Sequence, residues 1–212
     1  MLPAPLLVRT LLRPVEGDPN VDPVTIDDLV LDLATWQAEF ERRRPEMIAY
    51  RRDRRVELGD LMTLDFEDRT TVAWQVNRMI GVENITDPEK INHELATYNQ
   101  LVPGYHELCA TLLIGIDDLE ELYRWKPLLV GVNDKLVLEI DGARARLIPD
   151  DEGTREEEPP MVQYLKWILT DDQADRLRSG SARVRVGVDH PNYQVVADLD
   201  AAMVTRLAEM LG

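Results

Sequence analysis

The sequence predicts an α+β fold, with a largely antiparallel sheet, helices packed on one side and a helical N-terminal half. Three observations lead there. Apolar residues recur at helical spacing through much of the first half of the 212-residue chain, and the second half alternates hairpin, strand, helix and strand. There is neither an internal repeat nor a glycine-rich phosphate loop, which leaves Rossmann and P-loop readings without a basis. Residues 24–212 read as a single domain, preceded by an extended arm, 1–23, that carries Pro3, Pro5, Pro14 and Pro19 with little periodicity.

In chain order, a capping-box signal at 25–28 (TIDD) opens helical sequence with Leu29, Leu33, Trp36 and Phe40 at spacings of three and four. Pro45, which has no amide hydrogen to donate, either starts a second helix or kinks the first. In 56–66, Leu58, Leu64 and Phe66 stand among polar neighbours around a Gly59-Asp60 break, the pattern of a bent strand or short hairpin. Two helices follow. The first carries Val72, Val76, Met79 and Ile80 on one face; the second starts at the proline-containing capping box 86–89 and carries Ile91, Leu95 and Tyr98. The run LCATLLIGI at 108–116 is too short for a helix of this apolarity and reads as a buried strand.

A helix at about 118–125 leads to LVLEIDGARARLI, two alternating runs joined by Asp141-Gly142, the dipeptide favoured in a type I′ turn. The acidic stretch 149–160, PDDEGTREEEPP, has no apolar face to bury and is a solvated loop. MVQYLKWILT is then a strand, and Thr170 with Gln173 caps a short helix that Gly180 ends. SARVRVGV is a strand with Val184, Val186 and Val188 on one face, and a last helix holds Val204, Leu207 and Leu211.

The charge narrows the function classes. Forty acidic against 24 basic residues give a net charge of −16, which disfavours binding to nucleic acid or an anionic membrane. The N-terminus lacks a leading basic cluster and a cleavage site, and no run reaches the roughly eighteen apolar residues of a spanning helix. A single cysteine, Cys109, allows no internal disulfide and sits in apolar sequence as a small hydrophobe. A cytoplasmic protein is expected. The exception to the acidity is ERRRPEMIAYRRDRR, with seven arginines from Arg42 to Arg55; interleaved Glu39, Glu41, Glu46 and Asp53 favour internal ion pairing or a solvated face over a nucleic-acid site.

No catalytic residue, metal or cofactor is assigned, and whether the protein is an enzyme stays open. His93 is on the polar side of its helix, and His106 precedes a strand. His190 is set between Asp189 and Pro191, where a carboxylate either orients an imidazole or simply closes a turn. Glu67, Asp68 and Arg69 stand where a strand meets a helix and favour the helix dipole; Arg69 and Gln75 suit a carboxylate or amide ligand if they face a pocket.

Three stretches together resemble the DUF3501 family of uncharacterised bacterial proteins: RRVELGDLMTLDFEDRTTVAWQVNRMIGVENI, ELATYNQLVPGYHELCATLLIGI and VGVDHPNY. The resemblance implies matched positions at Phe66, Glu67, Arg69, Gln75, Tyr98, Asn99, Pro103, Asp189, His190, Pro191 and Tyr193. It also implies departures at Asp68 and, where the family carries an acid and a base, at Arg78 and Gly81. The candidate ligand or partner site is therefore Glu67, Arg69, Gln75, Tyr98, Asn99, Asp189, His190 and Tyr193. The setting the resemblance implies is a redox or peroxide-stress system beside an iron–sulfur oxidoreductase or a rubrerythrin-like protein. The lack of a recognisable cofactor motif and the arginine-rich helix on an acidic body favour a non-catalytic accessory, partner-binding role there, with self-association also open. The alternative is an enzyme or small-ligand sensor whose pocket gathers Arg69, Gln75, Tyr98, Asn99 and His190.

Overall fold

Turn chemistry and strand alternation build two antiparallel sheets in the computed structural model, which describes residues 22–149 and 159–211. The first helix, α1 (Leu33–Arg52), runs unbroken through Pro45, whose missing amide leaves a carbonyl free on an exposed surface where water can reach it. It begins later than the sequence suggests: the Thr25 capping box closes only a single 3-10 turn at Ile26–Asp28, and Asp32 caps α1 by accepting from the Thr35 amide. Strands β1 (Arg55–Leu58) and β2 (Met62–Glu67) form the expected hairpin. Asp68 caps α2 (Arg69–Glu83), and Asp87, with Pro88 in the first turn, caps α3 (Pro88–Tyr98).

Strand β3 (Glu107–Ile114) is followed by α4 (Leu119–Trp125) and β4 (Leu136–Ile140). Asp141 and Gly142 both take positive φ, 50° and 83°, as a type I′ turn requires. The run after that turn is not one strand. It pairs with β4 only at β5 (Ala143–Arg144), and past Ala145 it leaves to join the other sheet as β6 (Arg146–Pro149). The chain continues through β7 (Val162–Ile168), α5 (Asp171–Arg178), β8 (Val184–His190), β9 (Tyr193–Asp198) and α6 (Ala201–Met210). The sequence pattern did not announce β9. The expected arm and acidic loop fall, at 1–21 and 150–158, outside the described residues.

The order β1-β2-β3-β7-β6 makes a five-stranded sheet and β5-β4-β8-β9 a four-stranded one, where the sequence order had suggested a single sheet. The fold is α+β. Alternation turns Leu58, Leu64, Phe66, Leu108, Leu112, Leu165 and Trp167 toward Leu136, Leu138, Ile140, Val184, Val186 and Val188 of the smaller sheet, in a core that also takes Leu177 and Leu207. The opposite face of the larger sheet meets a second core of Val72, Val76, Ile80, Ile91, Leu95 and Tyr98, closed by Val24; Tyr164, neighbour to Leu165 and so of opposite direction, packs against it. No described helix is long and apolar enough to cross a membrane.

Candidate functional site

On the helix-facing side of the larger sheet the strands present charge instead of apolar residues. Glu67, Cys109 and Lys166 are register neighbours across β2, β3 and β7, as are Asp65, Thr111 and Tyr164 one step along. Glu67 is fully buried; it accepts from the Thr111 hydroxyl at 2.7 Å and from Arg51 at 3.4 Å. Asp65 takes a two-point grip from Arg55, both contacts 2.7 Å. Lys166 Nζ lies 2.6 Å from Glu107. Burial pushes the Cys109 thiol up to about 12, Lys166 pulling it down and Glu107 and Glu67 pushing it further up, so the sulfur is a neutral thiol with no nucleophilic character.

The arginine-rich stretch thus has two halves. Arg51, Arg54 and Arg55 fold inward onto β2 and the start of α2, where Arg54 bonds Asp68 at 3.0 Å and lies 3.4 Å above the Tyr50 ring, whose hydroxyl donates to Asp68 at 2.6 Å. Burial, then the Asp68 carboxylate, push the Tyr50 hydroxyl above its ordinary pKa. Arg42 pairs with Glu39. Arg43, Arg44 and Arg52 are exposed and form no ion pair among the described residues.

The motif residues go to three places. Arg69 and Asn99 meet on the protein's own N-terminal segment: Arg69 reaches the Asp22 carbonyl (3.1 Å) and Asp28 (2.6 Å), while Asn99 bonds both the amide (2.7 Å) and carbonyl (2.9 Å) of Val24. The Val30 amide donates to Asn77. Tyr98 is buried and bonded to Tyr164, its pKa raised by burial and by Glu94; the Gln75 amide nitrogen is buried without a partner.

Asp189, His190 and Tyr193 are on the smaller sheet, with the larger sheet between them and Tyr98. The Asn192 amide donates to His190 Nδ1 (3.2 Å), which leaves the ring proton on Nε2, 3.1 Å from the Val130 carbonyl. Asp189 pairs with Arg144, and the Tyr193 hydroxyl donates to the Leu58 carbonyl at 2.6 Å. His190 therefore shares no cleft with Arg69, Gln75, Tyr98 and Asn99; the Asp-His-Pro turn staples loops together. His106 is buried between Asp171 and Arg178, and among the described residues no three His, Cys, Asp or Glu side chains gather as metal ligands.

Sequence reasoning missed a surface. Trp36 and Phe40 of α1 meet Trp74 of α2 with ring centroids 5.0–5.4 Å apart, and Phe40 and Trp74 are stacked. A Cβ built on Gly81 would lie 2.0 Å from Trp36 Nε1, so glycine admits the indole. Beside it a groove of about 470 Å³ is lined by Trp36, Gln37, Phe40, Glu41, Arg78, Gly81 and Val82, the last 75% exposed. The two positions where the resemblance implies a lost acid and a lost base, Arg78 and Gly81, both line this groove. The signal available was the placement of three aromatics among arginines, Trp36, Phe40 and Trp74, which only tertiary pairing makes one patch.

Comparison with known proteins gives a family and a structural likeness. The family described as a protein of unknown function, DUF3501, matches residues 23–211. The chain is similar to a novel protein of unknown function from Burkholderia pseudomallei K96243, solved by crystallography, at 31% identity and a TM-score of 0.84, covering 90% of this chain and 100% of that one. No curated protein matches.

Proposed function

The chain belongs to the DUF3501 family, and on that premise we propose that it is a non-catalytic accessory protein that docks an acidic protein partner on the exposed face of α1 and α2. The observation that carries this reading is the surface shared by α1 and α2, where Phe40 and Trp74 stack half-buried over the buried Trp36 among the exposed Arg43 and Arg44 of α1 and Arg78 of α2. Aromatic anchors and arginines are the residue types that dominate binding energy at protein interfaces. Because the remainder of the chain is strongly acidic, an acidic partner is repelled elsewhere and attracted here, which selects one orientation.

An iron–sulfur oxidoreductase or a rubrerythrin-like protein is the partner class we place first, in a redox or oxidative-stress setting. The test is titration of each purified candidate against the full chain, followed by Trp fluorescence. We expect saturable binding that weakens with added salt and is lost in the Arg43→Glu, Arg44→Glu, Arg78→Glu triple variant. Absence of binding to both proteins at low salt, or binding indifferent to the triple variant, overturns the reading.

A further inference from the structure

A second copy of this chain is itself an acidic protein, with a net charge of −16, and it carries a surface complementary to the face of α1 and α2. Helix α4 has no buried residue. It is tied to the body on one side, where Trp125 meets Tyr193 edge-on, ring centroids 6.0 Å apart, and packs against the core between the two sheets. Another side presents Leu119, 67% exposed, and Tyr123, 75% exposed, four residues apart and therefore neighbours on one strip of the helix. The charge around that strip is negative and unspent. Asp117, Asp118 and Glu120 are exposed and form no ion pair among the described residues; Asp118 only caps the helix, accepting from the Glu121 amide, and Glu121 alone is neutralised, by Arg124. An aromatic and an aliphatic anchor inside a polar rim is the make-up of a protein interface. The α1–α2 face has the opposite sign. Arg43, Arg44 and Arg78 are exposed and unpaired among the described residues, against the carboxylates of Glu41 and Glu46, and the groove beside them opens on Phe40, Gly81 and the exposed Val82. Within one molecule the two surfaces are kept apart, because α4 belongs to the inter-sheet side of the larger sheet and α2 covers its opposite face.

We propose that a second copy of the chain docks its α4 on this groove, Leu119 and Tyr123 against Phe40 and Val82, and Asp117, Asp118 and Glu120 toward Arg43, Arg44 and Arg78. This rests on the docking reading above and names a competitor for the same face: away from its acidic partner, the face takes the chain's own acidic helix. Because the surface that inserts differs from the one that receives, copies add head to tail, as chains or a closed ring.

Sedimentation velocity on the full chain, from about 10 to about 500 μM, tests the proposal. The sedimentation coefficient should rise with concentration and return to that of a monomer in added salt, since the attraction is between exposed charges. Two variants, each confined to exposed side chains, divide the interface: Leu119→Ser, Glu120→Gln, Tyr123→Ser removes the inserted surface, and Arg43→Glu, Arg44→Glu, Arg78→Glu the receiving one. Each alone should weaken association at least about 10-fold. An equimolar mixture of the two should recover a single 1:1 dimer, because only one competent pair of surfaces remains. A wild-type chain that stays monomeric throughout, association unmoved by either variant, or a mixture that stays monomeric would overturn the proposal. Titration of the α4 variant with the iron–sulfur oxidoreductase and the rubrerythrin-like protein separates the two readings: binding of either protein alongside a monomeric wild type rejects the second copy as occupant and keeps the docking face, whereas loss of both binding and association rejects the face itself.

Discussion

At the scale of single residues, the side chains that mattered are those whose burial leaves a polar group to be satisfied. Glu94 is buried on α3, one of its carboxylate oxygens has no partner, and desolvation, with Glu83 adding to it, raises its pKa above the ordinary 4.5. A carboxyl raised in this way carries more proton folded than unfolded, so its contribution to stability falls as pH rises from about 4.5 through the folded value. Glu94→Gln should therefore stabilise the protein in urea titrations at pH 7, and the gain should vanish below about pH 4.5. Tyr193 gives a second case. Gly59 has φ 67°, and a Cβ there would lie 2.3 Å from the Tyr193 hydroxyl oxygen. Gly59→Ala should cost more than the roughly 1–2 kcal/mol of a left-handed alanine, and in a Tyr193→Phe background the additional cost should shrink; equal penalties in both backgrounds would show that the hydroxyl is not the obstacle.

At the scale of elements, α1 is thinly embedded for its length, burying only Trp36 and Met47 of twenty residues, and its position depends on Trp36 lying over Gly81. In an ordinary helix Gly→Ala gains about 1 kcal/mol. Gly81→Ala should have the opposite sign, and amide exchange should quicken in α1 while β3 stays protected; a stabilised protein would contradict the packing. Much of this level was legible in sequence because caps and turns are local chemistry: Thr170 with Gln173, Asp141-Gly142 and the valine alternation of β8 all hold in the structure. The unread parts are non-local. In β9 the outward Val196 blurs the alternation, and ARARLI alternates without a break although the chain changes sheets at Ala145. The candidate residues were fixed as types, but their neighbours were not. Asn99 carries no sign that its amide will pair with Val24, and His190 none that a whole sheet will separate it from Tyr98.

At the scale of the whole molecule, two apolar cores share one sheet, β2, β3 and β7 giving one face to each. If they act as one cooperative unit, Ile80→Ala in the helical core and Leu138→Ala in the inter-sheet core should each cost about 2–5 kcal/mol. Both should then displace circular dichroism and Trp fluorescence transitions together; separate midpoints for the two probes would mean two units. The switch of the chain from β5 to β6 also bears on how the molecule is reached from its unfolded state. Residues 143–149 tie β4, whose partner β8 comes late in the chain, to a sheet whose central pairing, Glu107 with Ile168, likewise spans a long loop. Neither sheet can be finished before the other is well advanced, while the hairpins β1–β2 and β8–β9 are local. Such non-local topology places folding toward the slow end, milliseconds to seconds, with the two hairpins the natural early structure and the crossing strand the late, rate-limiting one.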